Sequence, residues 1–119
     1  MALAELGVVV LDCPDPRALA GFYAEVLGGS TEGDDDWVDL RLPDGRSLAF
    51  QAAPGHTPPA WPAPEHSQQF HLDLTVADLD AAERRVLALG AKPLDAEDRS
   101  RGWRVYADPA GHPFCLCSC

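Results

Sequence analysis

Trp37, Pro43, Gly45 and Leu48 recur as Trp103, Pro109, Gly111 and Phe114, each 66 positions further on (103 − 37, for instance). Asp15 and Leu27-Gly28 recur as Asp78 and Leu89-Gly90, at spacings of 63 and 62. Two copies of this length in 119 residues cannot be a solenoid, which needs at least three stacked units. They imply two like modules about a pseudo-twofold axis within one domain. Module one covers about 5–52, a linker 53–67 and module two about 68–119. Each position in one half thereby acquires a counterpart in the other, and the two can be compared for chemistry.

The elements follow from local pattern. Residues 6–12 (LGVVVLD) form a β-rich apolar run, read as a strand. Asp15 is placed to cap a helix and Pro16 to open it. Leu19, Phe22, Tyr23, Val26 and Leu27 then share one helical face, and Gly28-Gly29 ends the helix. A short strand near Ser30–Thr31 is expected, then strands at 37–42 and 47–53 joined by the turn PDGR. The second half repeats this order: a strand at 69–76, an Asp78-capped helix to Gly90, a short strand at 91–95, and strands at 102–107 and 113–119 around the turn DPAGH. Each half is β-α-β-β-β. Residues 53–66 carry five prolines and read as irregular chain, with Trp61 placed either to tuck its indole over a groove or to cover the edge of the core.

Charge narrows the function. The formal net charge is −10, which argues against nucleic acid and anionic membrane surfaces, since both need basic patches. No apolar run reaches membrane-spanning length, and the first residues read as a strand rather than a leader. Three of the four cysteines (Cys115, Cys117 and Cys119) crowd the last strand, with Cys13 apart. Reduced thiols and a cytoplasmic location are the expectation.

The segments VVVLDCPDPRALAGFYAEVLGG, LPDGRSLAFQ, FHLDLTVADLDAAERRVLALGA and WRVYADPAGHPFCL resemble the vicinal oxygen chelate superfamily, which includes glyoxalases, bleomycin-resistance proteins and dioxygenases. The likeness covers essentially the whole chain and is nearest to the small bacterial glyoxalase-like domains. It implies an α+β fold in which two βαβββ modules curl mixed sheets around a central cup, and it implies a homodimer. The superfamily's metal site takes one residue from the first and one from the last strand of each module, usually His, Gln or Glu. Carried onto this chain, those positions are Val8, Ala49, His71 and Cys115. Two of the four have no donor atom.

Alternation along the strands extends this reading. Gln69, His71, Asp73 and Thr75 share one face, as do Cys115, Cys117 and Cys119. Val8, Val10 and Asp12 share another, with Ala49 and Gln51 on the matching strand. The ligand-lining set is therefore Val8, Val10, Ala49, Gln51, Trp61, Gln69, His71, Asp73, Trp103 and Cys115: apolar walls with a few polar groups, as a small-molecule site requires. His71 and Cys115 are the catalytic candidates. His71 beside Asp73 is expected to line the pocket rather than to bond its neighbour, and Cys115 to be an inert buried thiol. Trp37 and Trp103 are read as stacking walls or matched plugs. The expectation is a protein that binds a small organic ligand without the usual divalent metal and without another cofactor. The alternative is a lyase, isomerase or dioxygenase using His71 with Gln51 or Cys115, metal-assisted in one version.

Overall fold

A computed structural model of the chain describes residues 2, 3, 5–60 and 71–118. They form two compact units, Met1–His56 and Thr57–Cys119. The first holds β1 (Val9–Cys13), α1 (Pro16–Leu27), β2 (Ser30–Gly33), β3 (Trp37–Arg41) and β4 (Ser47–Ala52). The second holds β5 (Leu72–Thr75), α2 (Leu79–Ala88), β6 (Lys92–Asp95), β7 (Trp103–Ala107) and β8 (Pro113–Cys117). The α+β architecture and the β-α-β-β-β order of each half are those expected from the sequence. The strand β1 starts three residues later than its apolar run does.

Each unit is a four-stranded mixed sheet, ordered β1-β4-β3-β2 and β5-β8-β7-β6. In both, the first strand pairs in parallel with the last and the remaining pairs are antiparallel. The register repeats as well. Val10 faces Ala49 and Asp39 faces Ala49 in the first sheet. Asp73 faces Cys115 and Val105 faces Cys115 in the second. The turns repeat bond for bond: Leu42 N–H donates to Arg46 O at 2.8 Å, and Asp108 N–H to His112 O at 2.9 Å. Val10 thus corresponds to Asp73, and Ala49 to Cys115. This equivalence comes from backbone geometry and is independent of side-chain chemistry.

The helices are stopped and started as their sequences dictate. Asp15 accepts the Ala18 N–H at 3.2 Å and Asp78 accepts the Ala81 N–H at 3.1 Å, satisfying donors that a helix leaves open. After α1 the chain reverses through Gly28 and Gly29, both at positive φ. Gly29 has φ +101°, and a Cβ there would collide with the carbonyl of Arg41, so the β2–β3 pairing passes too close for any side chain.

The helix–sheet layers of the two units differ. In the first, Leu19, Phe22 and Tyr23 pack on Val38, Leu40, Leu48 and Phe50, all nearly or fully buried. Tyr23 and Phe50 stack at 5.7 Å. In the second, Tyr106 and Phe114 stack at 5.8 Å, but the counterpart of Val38 is Arg104, which is only 3% exposed. Its Nη2 donates to Asp80 at 2.9 Å, and its Nη1 lies 3.7 Å from Glu83. Glu83 also accepts from the Tyr106 hydroxyl at 2.7 Å and from Arg99 at 2.9 Å. The second unit thus replaces part of an apolar core with a charged network, and α2 is correspondingly polar on that side.

Candidate functional site

The sheet face opposite α2 collects most of the chain's reactive side chains. Parallel pairing sets Asp73 on β5 directly across from Cys115 on β8. Side chains two apart on an extended chain share a face, so His71, one residue ahead of β5, points the same way as Asp73. Its Nε2 lies 3.1 Å from Asp73 Oδ1. One donor atom from each of His71, Asp73 and Cys115 lies within 4.8 Å of the other two. His71 and Asp73 are exposed, whereas Cys115 is buried.

The row continues across the sheet. Val105 on β7 faces Cys115, and Asp95 on β6 faces Val105. Arg101, in the loop before β7, donates to Asp95 Oδ1 at 3.0 Å and to the Asp95 carbonyl at 2.8 Å. Its guanidinium lies 3.8 Å from the centroid of the Trp103 ring, a cation–π contact that holds both in place. Trp103 remains 41% exposed beneath it, so this indole presents an open ring edge and is no buried plug. Its counterpart Trp37 is also partly exposed and donates its indole N–H to Asp39 at 3.0 Å.

Burial and the neighbouring Asp73 carboxylate push the Cys115 thiol up to about 11. At neutral pH it is protonated, the opposite of a thiolate poised for attack. That fits the expectation of an unreactive thiol and weighs against Cys115 as a nucleophile. Cys13 and Cys115 form no disulfide, but Cys117 is disulfide-bonded. The expectation of reduced cysteines is corrected for Cys117.

The first unit presents the corresponding face with different content. Val8 and Val10 are half-buried and Ala49 is buried. Gln51 is exposed, across from Trp37 on β3 and Asp12 on β1. Trp61 and Gln69 lie outside the described residues. One expectation is overturned: His71 and Asp73 do meet, the imidazole Nε2 lying 3.1 Å from the carboxylate. Sequence reasoning also missed Arg101 and Asp95. Their only signal was position, Arg101 two residues before Trp103 and Asp95 at the end of a short predicted strand. His112 is half-buried, and its backbone N–H donates to the buried Asp108 carboxylate at 3.0 Å.

Residues 8–117 match the family model described as a glyoxalase-like domain. The chain belongs to this glyoxalase-like domain family. The resemblance to the vicinal oxygen chelate superfamily stands with it, and solved structures share the fold. A glyoxalase/bleomycin resistance protein/dioxygenase family enzyme from Burkholderia phytofirmans PsJN superimposes with a TM-score of 0.74 at 19% identity, covering 95% of this chain and 97% of that one. A glyoxalase-related enzyme from Fulvimarina pelagi gives 0.69 at 22% identity, covering 97% and 88%. The fosfomycin resistance protein FosX from Mesorhizobium loti gives 0.68 at 14% identity, covering 98% and 92%. No protein of curated function matches in sequence. No helix among the described residues is long and apolar enough to cross a membrane.

The donor set expected of the superfamily does not fit this glyoxalase-like domain. Two of its positions carry valine and alanine, and a third carries a sulfur donor in place of a hard nitrogen or oxygen. The residues present support no step through such a metal.

Proposed function

We propose that this glyoxalase-like protein binds a small organic ligand without the hard divalent metal typical of its superfamily. The observation that carries this reading is the matched register of the two sheets. Val8, Val10 and Ala49 occupy the positions that hold His71, Asp73 and Cys115 in the other half, so half of the chelating set has become apolar wall. An exposed indole braced by a guanidinium, beside a histidine and a carboxylate, offers stacking and a few directed polar contacts to a ligand. Val8, Val10, Ala49 and Gln51 are the first unit's ligand-facing candidates; His71, Asp73, Trp103 and Cys115 are the second's. Trp61 and Gln69 remain candidates on the sequence alone. The test is a thermal-shift screen against a metabolite library in the presence of chelator, with elemental analysis of protein purified without chelator. A ligand that stabilises the chelated protein supports the reading. One equivalent per chain of magnesium, manganese, iron or nickel, lost in His71→Ala, overturns it.

A second reading is favoured by the 3.1 Å approach of His71 to Asp73. A carboxylate that orients an imidazole is the arrangement of a general base, and it would serve a lyase or isomerase acting on a bound organic substrate. Turnover abolished by His71→Gln but retained in Cys115→Ala supports it. Turnover untouched by both substitutions refutes it. Both readings take the protein as a cytoplasmic homodimer. The dimer rests on the superfamily resemblance and the location on the sequence expectation, against which the Cys117 disulfide weighs. Light scattering on the purified protein checks the dimer, and cell fractionation checks the location.

A further inference from the structure

We propose that His71, Asp73 and Cys115 form a site for a soft divalent cation of the zinc type, built within the second sheet alone. The three side chains offer one nitrogen, one oxygen and one sulfur. That set suits zinc and disfavours magnesium and manganese, which prefer oxygen. The arrangement differs from the superfamily's site, because Asp73 lies two residues beyond the strand position that site uses and all three donors come from one module.

Geometry supports closure around an ion. Donors bound tetrahedrally to zinc at about 2.0–2.3 Å lie about 3.3–3.6 Å from one another. His71 and Asp73 already approach within 3.1 Å, and no pair in the cluster exceeds 4.8 Å. The adjustment left is about 1 Å, small enough for rotation of the two exposed side chains while Cys115 stays fixed on β8. Three protein ligands leave a fourth position for water or for an oxygen of a bound ligand. The nearby cation does not oppose the site, since Arg101 is engaged by both the carboxylate and the carbonyl of Asp95. Coordination takes Cys115 as thiolate, with its proton released to buffer.

The first unit supplies the comparison that a purely structural explanation must meet. The same backbone positions in an equivalent sheet hold Val8, Val10 and Ala49, so the fold itself has no need of polar groups there. A surface ion pair between His71 and Asp73 would account for two of the residues. It would not account for the thiol set across from the carboxylate.

This inference does not rest on the ligand-binding reading, and its test is separate. Chelator-stripped protein, without thiol reductant, is titrated calorimetrically with Zn²⁺ and in parallel with Mg²⁺. Co²⁺ then replaces Zn²⁺ as an optical probe. Expected are one Zn²⁺ per chain, no comparable Mg²⁺ binding, and a sulfur-to-cobalt charge-transfer band that Cys115→Ser removes. His71→Gln and Asp73→Asn should each weaken Zn²⁺ binding at least about tenfold, the lower range for disturbing even the groups behind a metal ligand. Both residues are exposed, so these variants decide the matter if Cys115→Ser does not fold. Binding below one equivalent, equal affinity for Mg²⁺, a cobalt spectrum without sulfur charge transfer, or full affinity in Asp73→Asn would each overturn the proposal. A ligand-induced thermal shift of the wild-type protein that persists in chelator leaves the ligand reading intact whichever way the zinc titration falls.

Discussion

Glu83 is the hinge of the charged layer between α2 and its sheet, and Glu83→Gln tests whether that layer stabilises the second unit. The carboxylate accepts from Arg99 at 2.9 Å and from the Tyr106 hydroxyl at 2.7 Å, and it faces buried Arg104 at 3.7 Å. Glutamine keeps an acceptor for Tyr106 but removes the charge. The Arg99 contact is on the surface and contributes at most about 1 kcal/mol. The larger part comes from the charge-assisted bond accepted from the buried Tyr106 hydroxyl and from the charge of buried Arg104 at 3.7 Å, so the total cost should be about 1–3 kcal/mol. For a chain of this size that lowers Tm by roughly 4–12 °C. Arg99 chiefly, with Tyr106, holds the Glu83 carboxyl below its ordinary value. Its stabilisation is therefore fully present above about pH 4.3, the ordinary glutamate value, and is lost as pH falls through the lower folded value. Urea melts of wild type and variant from neutral pH downward should show a gap that narrows below that point. The Tyr106 hydroxyl gives a second readout: burial first, then Glu83, pushes it up to about 12, and the variant, which keeps the burial but loses the carboxylate, should ionise at a lower pH than wild type by ultraviolet absorbance. A gap under about 1 kcal/mol at neutral pH, or one that does not narrow in acid, would refute the reasoning, because surface-only pairs contribute no more than this.

Arg104→Ala should cost about 3–5 kcal/mol by leaving Asp80 and Glu83 without their buried partner, whereas Arg104→Met, which refills the volume, should cost clearly less; paired urea melts decide. Gly29→Ala should destabilise by about 1–3 kcal/mol, since it adds positive-φ strain to a collision with the Arg41 carbonyl; thermal melting at or above the wild-type midpoint would contradict this. Asp15→Ala and Asp78→Ala should each cost about 1 kcal/mol through a lost helix cap, and Asp→Asn at either position much less, read by chemical denaturation.

The fold was legible because its signals are local and doubled. Asp15 before Pro16, glycines at 28 and 29, and the PDG and DPAG turns each have one comfortable backbone solution, and each is repeated by its counterpart in the other half. The site was legible only as a list of residues sharing a face. Alternation placed His71, Asp73 and Cys115 together, but it could not reveal how closely the His71 imidazole approaches the Asp73 carboxylate, which depends on the side-chain rotamers. Arg101 escaped for a similar reason. It acts from a loop, and only the folded path from β6 to β7 brings its guanidinium over Trp103 and onto Asp95. Arg104 was hidden more deeply. The β7 pattern reads as an alternating strand, and an arginine there is conventionally placed in solvent. Only the acidic residues of α2, one turn apart at Asp80 and Glu83, create an interior place for it.

Three of these departures share a direction. The second half carries polar chemistry where the first is apolar at Arg104 for Val38 beneath the helix, and at Asp73 for Val10 and His71 for Val8 on the opposite face, although Val105 against Asp39 runs the other way. Buried or clustered polar groups are costly to a fold unless they are partnered. The Arg104 guanidinium, beneath the helix, donates to Asp80 at 2.9 Å and lies 3.7 Å from Glu83, which neutralises its charge within the chain although its Nε and Nη1 make no hydrogen bond. The His71–Asp73–Cys115 cluster has a histidine–carboxylate contact of 3.1 Å at the surface and a thiol held protonated by burial. Its counterpart sheet folds without any of the three. A group of donors that the scaffold does not need, and that its own neighbours do not fully satisfy, is best accounted for by something that binds there.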